Sequence, residues 1–394
     1  MIPLTAWLAA ANLTQLVLGV AQSVILGRWL GVAGFGELGY LLSLVMVADA
    51  VAQAGLPNIV IRDVAATPRR DGLVFGTAAA VRLALAVLAA FALWPVAGPW
   101  AALLLIGYAG SLGVSAVRAK LLRGPQIAAA LLPITLSTAA VAGAALWRAP
   151  SAAVALCVLA VTGLVAGAGQ LAVARVHLAT RLASSAREAG RLLRESWPLW
   201  LGALVVAWMY RIDVFLLKAL PGPVPAADAI GWYQGAFKPI ESGHNLLGAL
   251  VLTAFPMFSA SAGRPAALRA ALGTALRHAR IFGGLAMVAA LVLGPWAIRL
   301  LYGGAFAPSG LAVRLLSPAL LLVLSNALLA SFLTATGRQR ELLWITVAMV
   351  AFKLAANLAV IPVWSYPGCA AVTTLTEAFG LGLLWWRVRT VQSA

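Results

Sequence analysis

Eight ionisable side chains sit inside long apolar runs, and they are where this sequence has chemistry to offer. Four are bases, Arg82, Arg211, Lys238 and Lys353; four are acids, Asp49, Asp213, Glu241 and Glu377. A charge surrounded by lipid is costly, so it faces a cavity, a partner or a transport path. Counting about 1.5 Å of rise per residue places Asp49, Arg82, Lys353 and Glu377 near the middle of their segments. Each half of the chain thus offers one acid and one base at similar depth on consecutive helices. Such pairs serve either as internal ties or as a cavity lining, and a tie can be exchanged for a charged substrate. Arg211 and Asp213 are two residues apart, share no helix face and must satisfy different partners. Lys238 and Glu241 are three apart and share one, with His244 a further three on. Lys238 also lies near a segment end, where its ammonium can snorkel to the interface. Gln53, Asn245, Asn326 and Asn357 are candidates for hydrogen bonds inside the bundle, and Pro239 and Pro256 for kinks in the eighth span.

The elements that carry these groups are membrane helices. Hydrophobic residues make up 63% of the 394 and charged residues 10%, against about a quarter charged in soluble domains. The net charge of +17 does not indicate nucleic-acid binding, because too little polar sequence exists to build a hydrated basic face. Cys157 and Cys369 lie in apolar runs and imply no disulfide framework. No metal-ligand spacing, cofactor motif or Gly-rich nucleotide loop occurs, so ATP-driven transport by this chain alone is unsupported. The first apolar stretch lacks a basic leader and outlasts a signal-peptide core, so it reads as a retained helix.

At roughly 20 apolar residues per span, twelve candidates emerge: 4–27, 38–58, 73–95, 100–117, 125–147, 152–174, 198–219, 231–256, 281–301, 311–334, 342–361 and 366–386. Trp94–Trp100, with two prolines and a glycine, marks a tight hairpin. Arginine and lysine alternate between the connections. Nineteen fall on one side, from Arg62, Arg69 and Arg70 through to Arg387 and Arg389. Five fall on the other: Arg28, Arg148, Lys218, Arg299 and Arg314. The positive-inside rule then predicts both termini in the cytoplasm. Segment 175–197 reads as a basic cytoplasmic connection, either an amphipathic helix on anionic lipid or a solvated linker. It separates an N-terminal six-helix bundle, 1–176, from a C-terminal one, 198–394, with the linker proper at 177–197. Gly34–Tyr40 faintly echoes Ile230–Gly235, the one hint of an internal repeat.

The order and spacing of short motifs resemble the multidrug/oligosaccharidyl-lipid/polysaccharide (MOP) flippase superfamily, in its bacterial polysaccharide-biosynthesis branch. They are Gly27-Arg28-Trp29-Leu30-Gly31 through Tyr40, Gln53-Ala54-Gly55-Leu56, Ile61-Arg62-Asp63, Glu195-Ser196-Trp197-Pro198, Tyr210-Arg211-Ile212-Asp213, Ala236-Phe237-Lys238, Leu301-Tyr302-Gly303-Gly304, Ala335-Thr336-Gly337-Arg338 and Asn357-Leu358 with Ile361-Pro362. The resemblance implies an all-α polytopic protein with two six-helix bundles forming a V-shaped cavity. It also implies a cytoplasmic-membrane flippase that is not an enzyme. The cargo would be an undecaprenyl-pyrophosphate-linked oligosaccharide such as an O-antigen repeat unit, moved by alternating access. Arg82, Arg211, Lys238 and Lys353 would meet the anionic head group. Asp49, Asp213, Glu241 and Glu377 would be their partners or sites for a coupling H+ or Na+. Membrane lipids, and a polysaccharide polymerase or glycosyltransferase, would be partners. Against that family the chain is short, beginning in its first helix and ending soon after the twelfth. Two other readings stay open: an ion-coupled exporter of drugs or metabolites with the same fold, and a membrane polymerase or glycosyltransferase using lipid-linked sugars. A purely structural scaffold does not account for midplane charges in both halves.

Overall fold

A computed structural model describes residues 4–261 and 264–393. Their secondary structure is α-helical, in eleven helices: α1 Leu4–Gln53, α2 Leu56–Ala66, α3 Asp71–Tyr108, α4 Leu112–Ala119, α5 Arg123–Trp147, α6 Ala152–His177, α7 Ala186–Ala219, α8 Ala226–Ser261, α9 Pro265–Tyr302, α10 Ser309–Ala335 and α11 Gln339–Ser393. Among the described residues, eight helical stretches are long and apolar enough to cross a membrane. A bent pair within α8 would make a ninth. The protein is therefore a multi-pass membrane protein.

Two of the longest helices double back. α3 breaks at Gly98, whose φ of 79° and ψ of 177° suit a residue without a Cβ. The Arg82 guanidinium donates to the Tyr108 carbonyl at 3.2 Å, although a straight helix would hold them on the order of 40 Å apart. The break falls inside the predicted Trp94–Trp100 hairpin. α11 breaks at Ser365, with φ of 50°. Its two arms are tied by Arg387 to Glu341 at 2.6 Å and by the stacked rings of Phe352 and Phe379, 4.9 Å between centroids. α1 has a comparable break at Gly31.

The helix ends differ from expectation in two places. The second span was expected to run to 58, but α1 stops at Gln53. Ala54 and Gly55 both take positive φ, and α2 starts afresh with Pro57 in its first turn, where the missing N–H costs nothing. The charged stretch 187–195 is helical, as one of its two readings had it, but it is not a separate helix. It forms the opening turns of α7, which continues without interruption into the apolar segment beyond.

The chain divides into two compact units: residues up to Leu30 with Glu37–Arg211, and Gly31–Gly36 with Ile212 onward. In the first unit α6 packs on α3, α4 and α5. Gly107, Gly110 and Gly113 press against Gly163, Gly167 and Gln170 of α6, where a Cβ would meet backbone; small residues permit this close approach. The first arm of α1 runs parallel to α5, with Gln15 donating to the Ala130 carbonyl at 2.7 Å and Gln22 to the Ser137 hydroxyl at 2.8 Å. An apolar cluster including Leu56, Val60, Phe75, Leu112 and Leu192 fills one end. In the second unit α10 is central, against α8, α9 and α11, with Phe258, Leu272, Leu328 and Phe332 in its core. The two segments that faintly echo each other in sequence pack together at two glycines. Gly36 and Gly231 lie against backbone of α8 and of residue Val32, leaving no room for a side chain.

Candidate substrate and coupling sites

The densest polar site lies in the second unit around Asp213 of α7, which is fully buried. Four side chains donate to its carboxylate: Lys353 Nζ at 2.8 Å, Tyr233 Oη at 2.6 Å, Asn357 Nδ2 at 2.7 Å and Thr373 Oγ1 at 3.2 Å. Lys353 and Asn357 are four residues apart, on one face of the first arm of α11; Thr373 comes from the returning arm. Both oxygens are thus hydrogen-bonded and the charge is neutralised, the condition for keeping a carboxylate in an apolar interior. Glu377, one turn beyond Thr373, accepts from Asn326 Nδ2 of α10 at 2.8 Å, and the same amide donates to the Glu377 carbonyl at 2.9 Å.

This corrects the expected Lys353–Glu377 pairing. Lys353 reaches α7 instead, and Glu377 is satisfied by an amide. Arg211 and Asp213, two apart on α7, are both buried, and the boundary between the two units falls between them. Lys238 and Glu241 form the expected bridge along α8, at 2.8 Å and half-exposed. His244 follows on the same row, its Nδ1 buried without a hydrogen-bond partner among the described residues. Asn245 is exposed rather than inside the bundle, one residue past that partly buried row.

In the first unit Arg82 of α3 pairs with Asp49 of α1, Nη2 to Oδ1 at 2.7 Å. Gln53, one turn beyond Asp49, donates to its other oxygen at 2.8 Å. The Arg82 side chain is 1% exposed and that of Asp49 15%, so the acid covers the base. Arg82 Nε is buried with no acceptor among the described residues. A buried guanidinium donor without an acceptor is unusual and calls for an explanation.

A third cluster, at one end of the first unit, escaped the sequence reading. Asp71, the first residue of α3, is fully buried. It accepts from Lys120 Nζ at 2.5 Å, from the backbone of Ala179 at 2.8 Å and Thr180 at 3.0 Å, and from the Thr180 hydroxyl at 2.7 Å. Burial pushes this carboxyl upward, but Lys120 and these donors outweigh it and hold it at about 2. Nearby, Arg191 of α7 binds Asp63 of α2 at 2.7 Å and Glu188 at 2.6 Å, while Arg62 binds Asp63 and Glu195. An acid directly after Pro-Arg-Arg is a helix-start signal; nothing in sequence announced its partners. The described residues contain no cluster of His, Cys, Asp and Glu able to hold a metal.

Comparison with known proteins agrees with this architecture. Residues 4–262 match the family model described as polysaccharide biosynthesis protein. Three solved structures share the fold over nearly the whole chain. An inward-facing multidrug resistance MATE family transporter of the MOP superfamily superposes with a TM-score of 0.74 at 14% identity, over 98% of this chain and 99% of its own. The lipid II flippase MurJ, inward closed, gives 0.70 at 12%, over 96% and 87%. A MOP superfamily transporter from Pyrococcus furiosus, described by a reversed polarity of its binding pocket, gives 0.66 at 13%, over 99% and 96%. Curated protein sequences yield no match. The fold is that of MOP superfamily transporters.

Proposed function

We propose, from the premise that the chain belongs to the polysaccharide biosynthesis protein family, that it is a flippase. Its cargo is a lipid-linked oligosaccharide on undecaprenyl pyrophosphate, carried across the bacterial cytoplasmic membrane by alternating access. The observation that supports this cargo above others is Arg82, a buried guanidinium with a spare donor behind an acid that is partly exposed. Pyrophosphate offers several oxyanions to such a fork, and the exchange keeps the buried guanidinium paired while Asp49 retains the amide of Gln53. Arg211, Lys238 and Lys353 are the further cations of the path; Asp49, Asp213, Glu241 and Glu377 are their partners or the sites of a coupling H+ or Na+. The reading takes twelve spans, with each arm of the broken helices counted separately and both termini cytoplasmic. It assigns 1–176 and 198–394 to two six-helix bundles joined by 177–197. A polysaccharide polymerase or glycosyltransferase is the natural neighbour for such cargo.

The Asp213 site is the observation behind a second reading, an ion-coupled exporter, since a carboxylate buried inside a membrane helix is by default a functional-site candidate. Binding of a short polyprenyl pyrophosphate to the purified protein separates the two. Farnesyl pyrophosphate is expected to bind well above farnesol, with the difference lost in Arg82→Gln. Equal binding of the two, or a preference for cationic drugs, would support the exporter.

A further inference from the structure

The end of the first unit that holds Asp71 carries four acids, and each is engaged by a base. Lys120 holds Asp71, Arg191 and Arg62 hold Asp63 and Glu195, and Arg191 with Arg70 holds Glu188. Arg118, Arg175 and Arg181 are exposed and have no acidic partner among the described residues. One carboxylate brings their segments together, for Asp71 binds Lys120 at 2.5 Å and the backbone of Ala179 and Thr180. Beside each arginine stands an exposed apolar residue: Leu121 at 72%, Val176 at 79% and Leu182 at 45%. Leu121 holds a left-handed φ of 54°, closed by its amide donating to the Arg118 carbonyl at 3.0 Å. A bulky side chain avoids that conformation unless its surroundings enforce it.

We propose that this patch binds the phosphate headgroup of an anionic phospholipid. Arginines alone would suit any polyanion. Arginines interleaved with outward-facing leucine and valine suit the bilayer interface, where the guanidinium meets phosphate and the apolar neighbour enters the acyl boundary. The patch lies outside the buried cations assigned to cargo, so it stands independently of the flippase reading. Its office is to fix this end of the first unit at the headgroup level.

The test uses the full chain in detergent, with phosphatidylglycerol or phosphatidylcholine of matched acyl chains added and bound lipid counted by native mass spectrometry. Near-surface basic residues of this number give a preference for phosphatidylglycerol on the order of a hundredfold. The triple variant Arg118→Gln, Arg175→Gln, Arg181→Gln is expected to lose that preference while retaining the wild-type thermal midpoint in phosphatidylcholine. Should that variant not fold, Val176→Ser with Leu182→Ser replaces it, and weaker retention of phosphatidylglycerol is expected. No preference in the wild type, or an unchanged preference in the variants, would overturn the proposal. So would displacement of the lipid by equimolar inorganic pyrophosphate or by an acidic polypeptide, which would mark a site for soluble anions.

Discussion

Arg82 and Lys353 are both bases buried in apolar helices, yet they are held in opposite ways. Lys353 belongs to a closed web, in which Asp213 has four donors; Arg82 keeps an unused Nε and a partner nearer the surface. Removing one member of a closed buried pair costs about 3–5 kcal/mol, because the other is left as an uncompensated charge. Lys353→Met is therefore expected to destabilise by that amount. Adding Asp213→Asn to it should restore much of the loss, measured as a double-mutant cycle on thermal unfolding in detergent. Strictly additive losses would show that the two are not coupled. The residue types of this site were legible, since charges in apolar runs stand out. Their partners were not. Whether Lys353 meets Glu377 or Asp213 depends on how the arms of α11 close at Ser365 and which face turns to α7, and no local pattern records that.

Among the elements, the segment between α6 and α7 departs most from its sequence reading. Residues 179–185 lie extended along the start of α3. The Gly72 amide donates to the Thr180 hydroxyl at 2.8 Å, and the Ser185 amide to the Thr77 hydroxyl at 3.2 Å. Gly72 and Gly76 leave the room, since a Cβ on either would meet the carbonyls of Thr180, Arg181 or Ala183. The segment is a strap bonded to the first unit, with Asp71 as its anchor. Because the Asp71 carboxyl lies at about 2 when folded, below its usual 3.8, its contribution is present above pH 3.8 and disappears as pH falls through 2. The thermal midpoints of wild type and Asp71→Asn are expected to differ at pH 5 and to converge towards pH 2. A constant gap over that range would remove the carboxylate from the account. Sequence patterns marked the helix stops well where prolines and glycines cluster, as at Gly98. They placed the start of α7 too late, because its first turns are charged and look like a connection until their acids are seen bound by Arg62 and Arg191.

For the molecule as a whole, composition alone established an all-helical, multi-pass protein. The alternation of basic connections led to the expectation of twelve spans with both termini cytoplasmic. What composition could not register was how helices double back, which rests on single residues such as Gly98 and Ser365. At this scale we propose that buried cations draw an anionic lipid-linked glycan through the protein. Reconstitution into liposomes with fluorescent undecaprenyl-pyrophosphate-linked oligosaccharide tests it most directly, with wild type, Arg82→Ala and Arg82→Lys compared. Lysine keeps the charge but not the planar fork that grips phosphate. The account predicts transbilayer movement with wild type, slower movement with Arg82→Lys and little with Arg82→Ala, all three being folded. Equal movement in all three, or none in wild type under any proton or sodium gradient, would contradict it.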